Sequence, residues 1–499
     1  MSISAPASVP SQSAAEAVEA QSGSPASARS ARLGRGLLAA YGLGAMVEST
    51  TTVYLSTFLY FYLTAVCGLS GSMAGLALGV TLVVDSAVDP LVGSVSDNSR
   101  SRFGRRHPFM LLAAIPIGVS LGLLFSAPTA LHGWGLFAYA TCFALALRVG
   151  LSAFNVPFIA LGAEMSDDYH ERSTIVAFRV GLGTLGTLAA LVLGYGVFLS
   201  SQQGGQLHRA GYTPFAWSGG AIVAVMALLS ATGTLGVRGR LHQATAGDGA
   251  ALWRLLREMG EVFRNRSFLF LFSACLIFFI AQGAAAALTL HANTFFWRLP
   301  PFLILIISLS LLPGVLGGIV VAAALNKLLE KRTIALAGLG LICCSQFFPV
   351  TLTLAGVVPH SAAPPMLIVA VLVAGVGVTM SLVGFQSMMA DATDEHELLF
   401  AARREGLYFA GLSFAAKASS GLGVLIAGLA ADAIGFPNDL AAQGAHAHVP
   451  WTTARNLALI YGPCAAVITF VGVLLLFGYR LNRQTHAEIL ETLARRRAI

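Results

Sequence analysis

The sequence predicts an all-α membrane protein whose twelve transmembrane helices form two six-helix pseudo-repeats. Of its 499 residues, 56% are hydrophobic and only 11% are charged, whereas about 25% of residues are charged in ordinary soluble domains. Twelve stretches of roughly 20 or more predominantly apolar residues can be marked, each long enough to cross a hydrocarbon core of about 30 Å as a helix. An internal repeat with an offset of 227 residues relates the two halves of the chain.

The predicted elements follow in order from these apolar stretches. Spans are expected at 37–63, 73–96, 108–127, 134–163, 174–200, 215–237, 267–292, 301–326, 333–358, 364–390, 406–433 and 455–479. Residues 1–36 are rich in Ala, Ser and Pro without an apolar signal-peptide core, so we expect a disordered cytoplasmic tail. Residues 238–266 are typical of an amphipathic linker helix on the cytoplasmic face. They separate the bundles 37–237 and 267–479, and a basic cytoplasmic tail is predicted at 480–499.

The repeat is visible after the fourth and the tenth span. Ala163-Glu164-Met165-Ser166-Asp167-Asp168 follows the fourth span, and the similar Ala390-Asp391-Ala392-Thr393-Asp394-Glu395 lies 227 residues further on, after the tenth. The repeat implies two six-helix halves in the same orientation. Such parallel halves around a central cavity are the arrangement of major facilitator transporters.

The basic residues indicate topology. The net charge is +7, from 30 Lys and Arg against 23 Asp and Glu. By our count 24 of the basic residues lie in loops and tails on one side of the membrane, while Arg209, Arg298 and the border residue Arg455 lie on the other. The positive-inside rule therefore predicts that both termini are cytoplasmic in a multi-pass protein of the plasma or inner membrane. The basic residues thus reflect the orientation of the protein in the lipid bilayer, and no nucleic-acid partner is expected.

Other classes of protein lack support in the sequence. The six cysteines have neither metal-ligand spacing nor a disulfide framework. Gly181, Gly183 and Gly186 follow no strand, so they are not a phosphate-binding loop. The sequence contains no nucleotide-binding motif, which gives no support to direct ATP drive, and we expect no cofactor. His291, His360, His446 and His448 lie near the outer side or in loops without the partner pattern of a catalytic site, so an enzyme is not expected.

Six charged residues fall inside the predicted spans, where charge is costly and calls for a reason. They are Glu48, Asp85, Asp89, Arg148, Arg179 and Lys417. Asp85 and Asp89 are four residues apart and share one helical face. Two such carboxylates do not both stay ionised without a cation, so a bound proton or Na⁺ is predicted, with a hydroxyl from Ser86 or Thr81 as a further ligand. Salt bridges to Arg148 or Lys417 are the alternative, and the two interpretations are compatible.

The other four mid-span charges each admit two interpretations. Lys417 lies among small residues and is either the partner of the acid pair or part of helix packing. Glu48 begins a polar patch on the first span and either contacts substrate or pairs with an arginine. Arg148 and Arg179 either bind substrate or balance the acids, since three acids face three bases.

The motif Asp85-Ser-Ala-Val-Asp89-Pro90-Leu-Val-Gly93, continuing from Ser96 through Phe109, resembles the glycoside–pentoside–hexuronide:cation symporters. This is the melibiose-carrier branch of the major facilitator superfamily. Further segments agree with it, namely Asn155-Val156-Pro157-Phe158 with Glu164 and Glu171-Arg172, Asp391 to Asp394, and Arg403-Arg404-Glu405-Gly406-Leu407-Tyr408-Phe409 leading to Lys417. The resemblance covers nearly the whole chain past residue 36.

The resemblance implies cation-coupled symport. Asp85 and Asp89 match the family's cation-site carboxylates, and Lys417 matches its span-eleven lysine. The loop after span two resembles the superfamily's cytoplasmic gating motif, although a topology signal would explain its basic residues equally well. The gate implied by the resemblance consists of Asp97, Arg100, Arg102, Arg105, Arg106, Glu164, Asp391 and Asp394.

The resemblance also identifies candidate substrate positions. Melibiose carriers hold their galactoside with one carboxylate on span one and one on span four, and the matching residues here are Ser49 and Asn155. Glu48 is adjacent to Ser49 but turned about 100° around the helix. A galactoside is therefore not expected, and Glu48, Ser49, Asn155 and Arg179 are the candidate substrate residues. Asparagine before Val-Pro also resembles the glucuronide and pentoside carriers.

The sequence therefore predicts a monomeric symporter that moves a sugar or glycoside inward with H⁺ or Na⁺ by alternating access of its halves. A cation-coupled carrier of a lysolipid or another amphiphile is the alternative, because vertebrate lysolipid transporters share the wider fold and the cation-site pair. A lipid path would require an apolar gap between spans in place of a polar cavity.

Overall fold

The computed structural model describes residues 33–99, 101, 103–166, 168–240, 263–400, 405–438, 440–443 and 448–497. All regular structure in these residues is helical. Most of the predicted tail 1–36 and of the predicted linker 238–266 lies outside the described residues, so both remain predictions.

The described helices are named α1 to α13 in chain order. α1 covers Arg35–Val53 and continues through Tyr54–Leu59 and Tyr62–Val66; α2 is Gly71–Asn98, α3 His107–Leu124, α4 Gly133–Glu164, α5 Tyr169–Leu191 with Val192–Phe198, α6 Arg209–Gly233, α7 Arg266–His291 with Ala292–Phe296, α8 Pro301–Leu309 with Leu311–Leu325, α9 Lys331–Leu354, α10 Ala363–Phe400, α11 Glu405–Ala433, α12 Trp451–Leu459 with Ile460–Cys464 and Ala465–Leu476, and α13 Arg483–Arg497. The twelve predicted spans fall on α1 to α12.

Eleven of the described helices, α2 to α12, are long and apolar enough to cross a membrane. α1 is less apolar because the polar run Glu48-Ser49-Thr50-Thr51-Thr52 lies at its middle. Side-chain caps define the starts of several spans: Ser70 accepts a hydrogen bond from the Met73 backbone N–H at the start of α2, and Asp168 does the same for Glu171 at the start of α5.

α5 and α6 begin five and six residues before their predicted starts, and two elements depart further from the prediction. α10 continues to Phe400, ten residues beyond the predicted end of its span, and the predicted basic tail contains helix α13. α13 buries Ile489 and Leu493 against the bundle, and it packs against α10. The polar end of α10 therefore packs against α13, a helix that the prediction of membrane spans from hydropathy does not find.

The bundle has two ends, called here the terminus side, where α1 begins and α12 ends, and the far side, where α1 ends and α2 begins. One hydrophobic core runs through the first six helices and continues into the far-side ends of α7, α8, α11 and α12. The terminus-side part of the second half has a separate core. The two halves are thus packed together at the far side.

Polar and aromatic contacts support the same arrangement. Asp432, at the end of α11, accepts hydrogen bonds from the backbone N–H groups of Gly71 and Ser72 at 2.7 and 2.8 Å, and so caps α2 of the other half. Phe61 of α1 stacks with Phe295 of α7 at a centroid distance of 5.9 Å. These contacts close the far side of the described structure.

Glycines allow α2 and α11 to approach each other closely. A Cβ at Gly428 would collide with the carbonyl oxygen of Gly71, and a Cβ at Gly79 would lie 2.9 Å from the carbonyl oxygen of Gly421. Small residues at such crossings are the usual means of close helix packing in membranes, where backbones must come into direct contact. This crossing is the main seam between the halves on the far side.

The repeat also appears in the packing. Thr64 Oγ1 and His291 Nε2 lie 2.9 Å apart in a buried contact between α1 and α7. The two residues are 227 positions apart, which is the offset of the sequence repeat, so equivalent positions of the two halves meet on the far side. The pseudo-symmetry axis of the bundle therefore passes near this contact.

We predict that Gly428→Ala destabilises the protein in this far-side-closed conformation. The added methyl group would force the α2–α11 backbones apart, and overpacking of this kind typically costs about 1–3 kcal/mol. Thermal unfolding of the detergent-purified protein should show a lower midpoint. Gly340→Ala on α9 is the matched control, because a Cβ there has no atom of the described part of the chain within 4 Å. Equal midpoints for the two variants would contradict the close-packed seam.

Candidate functional site

The predicted carboxylate pair lies at the seam between the halves, against Lys417 of α11. Lys417 Nζ donates to Asp89 Oδ2 at 2.5 Å and lies 2.8 Å from Asp85 Oδ2. Asp85 is 5% exposed, whereas Asp89 and Lys417 are 31% and 35% exposed. One ammonium group thus bridges two carboxylates of α2, and this bridge joins the first half of the protein to the second.

The α4 helix adds two further groups to Asp85. Arg148 Nη1 lies 3.6 Å from Asp85 Oδ2. The Ser152 hydroxyl donates a hydrogen bond to Asp85 Oδ1 at 2.8 Å. Ser152 is the hydroxyl that sequence reasoning missed, since the candidates Thr81 and Ser86 instead donate to carbonyl groups of their own helix. A serine inside an apolar helix gives no signal until the facing helix is known.

A second group of charges lies beside this bridge. Glu48 of α1 is solvent-exposed and interacts electrostatically with Lys417 of α11 and with Arg179 of α5. The accessible space around Glu48, Asp89 and Lys417 is called here the central cavity. The far-side contacts close one end of this cavity.

Two candidate substrate residues differ in their surroundings. The Ser49 hydroxyl donates to the Ala45 carbonyl of its own helix at 2.9 Å and packs against Gly186 of α5. Asn155 lies three residues after Ser152 on α4, and its buried Oδ1 has no hydrogen-bond partner among the residues that the structure describes. A buried amide oxygen without a partner is costly, so Asn155 has an unused acceptor for a ligand, whereas Ser49 has no unused donor.

The predicted gate residues of the first half form a cluster on the terminus side. Glu164, at the end of α4, forms ion pairs with Arg105 and Arg106. Asp97 is exposed and lies 3.5 Å from Arg106. Arg100 and Arg102 lie outside the described residues. The structure therefore brings these gate residues together within the first half.

Asp391 and Asp394 belong to a separate cluster in the second half. Lys331 Nζ donates to Asp391 Oδ1 at 2.7 Å. His486 of α13 lies 3.0 Å from Asp394 Oδ2 and 3.5 Å from Asp391 Oδ1. Neither Lys331 nor His486 was among the site residues predicted from the sequence. His486 reaches this cluster because it lies on α13, a helix within the segment that was predicted to be a basic tail.

Comparison with known proteins agrees with this geometry. The family described as "MFS/sugar transport protein" matches residues 40–483. An uncharacterized symporter of Synechocystis sp. is 24% identical over 92% of this chain and 96% of its own length. The putative glycoside/cation symporter YagG of Escherichia coli is 35% identical over 30% of this chain and 32% of its own. An isoprimeverose transporter of Lactiplantibacillus pentosus is 31% identical over 29% of this chain and 30% of its own.

Solved structures agree in fold. The crystal structure of the nucleoside transporter NupG, as its D323A mutant, superposes with a TM-score of 0.61 at 12% identity, covering 88% of this chain and all of that one. This likeness confirms the predicted major facilitator fold. The relatives and the fold are those of transporters, and the chain is a multi-pass membrane protein and not an enzyme.

We predict that Lys417→Met destabilises the protein and that adding Asp89→Asn restores part of the loss. Removing the ammonium leaves two carboxylates facing each other, at a cost of about 1–3 kcal/mol, which is less than for a fully buried pair because Lys417 is partly exposed. Thermal unfolding of both single variants and the double variant gives the coupling. Asp97→Asn, an exposed acid on the same helix, is the control and should give no rescue. Purely additive effects of Lys417→Met and Asp89→Asn would contradict the bridge.

Proposed function

Because the chain belongs to the MFS/sugar transport protein family, we propose that it carries a sugar or glycoside in symport with H⁺ or Na⁺. The observation that carries this proposal is the bridge from Lys417 to Asp85 and Asp89 across the seam between the halves. The names of relatives support the substrate class, since one is a putative glycoside/cation symporter. The alternating-access cycle requires only one chain, and we propose a monomer.

The bridge provides a physical means of coupling. Lys417 occupies the position of a cation between the two carboxylates, so an arriving H⁺ or Na⁺ competes with it. Charge interactions are strong in a low-dielectric interior, where a pair at about 4 Å and an effective dielectric constant of 20 interacts by about 4 kcal/mol. Binding of the ion therefore weakens a contact between α2 and α11, and the relative energies of the two alternating states change.

The polar groups of the central cavity suit a substrate with many hydroxyl groups. Glu48 of α1 and Arg179 of α5 interact electrostatically beside Lys417, and Asn155 of α4 has a buried amide oxygen that accepts no hydrogen bond from the described residues. Sugars are recognised by convergent hydrogen bonds from such groups. The proposal gives substrate contacts to these three residues and gives none to Ser49, whose hydroxyl is used within α1.

The orientation follows from the basic loops. We place both termini in the cytoplasm, in the plasma or inner membrane, on the positive-inside rule. On this placement the terminus side is the cytoplasmic side, and the far-side-closed conformation corresponds to an inward-facing state. In the outward-facing state the two terminus-side clusters approach, and the basic residues of the first can pair with Asp391 and Asp394 of the second.

The alternative, a carrier of a lysolipid or another amphiphile, finds less support. An apolar groove of about 240 Å³ does lie between α2 and α11, lined by Leu76, Gly79, Val80, Val83, Val84, Ala418, Gly421, Leu422 and Leu425. Its floor is the close backbone crossing of Gly79 and Gly421. At that crossing the two helices leave no apolar gap between their backbones, which does not favour a lipid path through the groove.

We predict that purified protein in proteoliposomes accumulates one class of sugar when a Na⁺ or proton gradient is imposed. A panel of radiolabelled glycosides, pentosides, hexuronides and lysolipids tests this. Asp85→Asn and Asp89→Asn should each abolish accumulation, since each removes one cation-site charge. Thr184→Ala, which alters an exposed hydroxyl on α5, should behave as wild type. Accumulation that survives both aspartate substitutions would refute the cation-site assignment, and accumulation of lysolipids alone would refute the substrate class.

We predict that Asn155→Ala raises the KM for the transported sugar about tenfold with little change in its pH dependence, because a hydrogen bond to the substrate is worth about 1 kcal/mol or more in such a site. Ser49→Ala is the matched control and should leave KM nearly unchanged. Initial uptake rates over a range of sugar concentrations give both values. A larger effect for Ser49→Ala than for Asn155→Ala would reverse the two assignments.

A further inference from the structure

Arg148 is a second cation beside the carboxylate pair, in addition to Lys417. It reaches Asp85 from α4, with Nη1 3.6 Å from Oδ2, and its side chain is only 20% exposed. A guanidinium group is effectively always protonated in proteins. Asp85 is therefore neutralised by a fixed charge, which cannot leave by losing a proton.

Both carboxylate oxygens of Asp85 are already engaged. Oδ1 accepts the hydrogen bond from the Ser152 hydroxyl. Oδ2 faces both Arg148 and Lys417. If Lys417 moves away, Oδ2 still faces the guanidinium of Arg148. Asp89 differs, because its ion pair in the described structure is with Lys417, at Oδ2.

We infer that Arg148 restricts the coupling ion to a proton and that Asp89 is the group that carries it. This inference rests on the proposed symport function and narrows its choice between H⁺ and Na⁺. Arg148 acts in it as the residue that determines ion specificity, through the field it places on Asp85.

A sodium ion fits this arrangement poorly. Hard metal cations are held by several oxygen ligands in direct contact, and a site made by a carboxylate pair needs both carboxylates. An ion in contact with Asp85 Oδ2 would lie next to the guanidinium of Arg148, at a distance where two positive charges repel strongly in low dielectric. The structure thus gives a metal ion one usable carboxylate in place of two.

A proton does not meet this obstacle. It forms a covalent O–H bond with Asp89 and needs no shell of ligands, so it can bind without approaching Arg148. Protonation makes Asp89 neutral and breaks its ion pair with Lys417, while Lys417 keeps its charge and its contact with Asp85. Release of the proton on the other side of the membrane restores the pair. Asp89 is 31% exposed, so water in the central cavity can deliver the proton.

The surrounding charges favour the same conclusion. The groups that face Asp89 are Asp85 on its own helix, Lys417 on α11, Arg148 on α4 and Glu48 on α1, while Arg179 of α5 faces Glu48. These three acids and three bases sum to zero charge before any ion arrives. A metal ion therefore finds no net negative site, whereas the affinity of a carboxylate for a proton does not require one.

The test measures Na⁺ binding directly, with radioactive Na⁺ as the probe on purified full-length protein. The samples are wild type, Arg148→Ala, which removes the fixed charge, and Arg148→Lys, which keeps it. We expect no saturable Na⁺ binding by wild type or Arg148→Lys over the concentration range measured, and saturable binding by Arg148→Ala with a Kd at least about tenfold below the top of that range. Adding Asp89→Asn to Arg148→Ala should abolish that binding. Thermal unfolding midpoints verify that each variant is folded.

A second measurement uses the sugar that the uptake panel identifies, in sodium-free choline buffers. A proton gradient should drive accumulation by wild type, a protonophore should abolish it, and a Na⁺ gradient alone should give none. Saturable Na⁺ binding by wild type, or accumulation driven by Na⁺ alone, would overturn the inference and leave symport intact. A folded Arg148→Ala variant that binds no Na⁺ would overturn the role of Arg148. If no gradient drives accumulation of any sugar, the proposed function fails, while the Na⁺-binding result still decides the ion specificity.

Discussion

Two carboxylates one turn apart on a membrane-spanning helix cannot both stay charged unless cations from other helices lie beside them. Asp85 and Asp89 meet this condition only because α11 and α4 bring Lys417 and Arg148 to them. The compensation therefore depends on tertiary structure, and half of it comes from the opposite half of the protein. A rearrangement that separates α2 from α11 removes Lys417 from the two carboxylates, so another positive charge has to take its place. The relative energy of the two conformations therefore depends on the binding of an ion.

The glycine seam and the charge bridge lie on the same two helices and act at different depths. Near the far side, Gly71 and Gly428 let the backbones of α2 and α11 touch, and Asp432 caps α2. Nearer the middle of the bundle, Lys417 spans the wider gap to the acid pair. Close packing tolerates little stretching, because a gap of about 0.5–1 Å already forfeits a quarter to a half of the dispersion attraction. The far side is thus held by the close packing of α2 against α11, which a small separation of the helices weakens. The charge bridge of Lys417 lies next to this packing and responds to the ion.

Hydropathy analysis finds those residues of the site that are charged within an otherwise apolar span. A charged residue in an apolar span stands out, so Glu48, Asp85, Asp89, Arg148, Arg179 and Lys417 could all be found in the sequence. Their pairing could not, because spacing along one helix does not say which face meets which neighbour: Arg148 pairs with Asp85, while Arg179 interacts electrostatically with Glu48. Ser152 carries no signal at all, since serine is common in membrane helices. The helix α13 was likewise invisible to hydropathy, because its amphipathic sequence reads as a basic tail.

The internal repeat is visible in the packing of the two halves, but the central charges do not follow it. Glu164 and Asp391 stand 227 residues apart, and each pairs with basic residues of its own half on the terminus side. The residues 227 positions from the six central charges are all uncharged: Cys275, Leu312, Leu316, Gly375, Gly406 and Ala190. Equivalent packing in the two halves suits a bundle that rocks between two similar states. Five of the six central charges belong to the first half, and Lys417 belongs to the second. An ion bound to Asp85 or Asp89 can therefore act on the second half through its effect on the contact with Lys417.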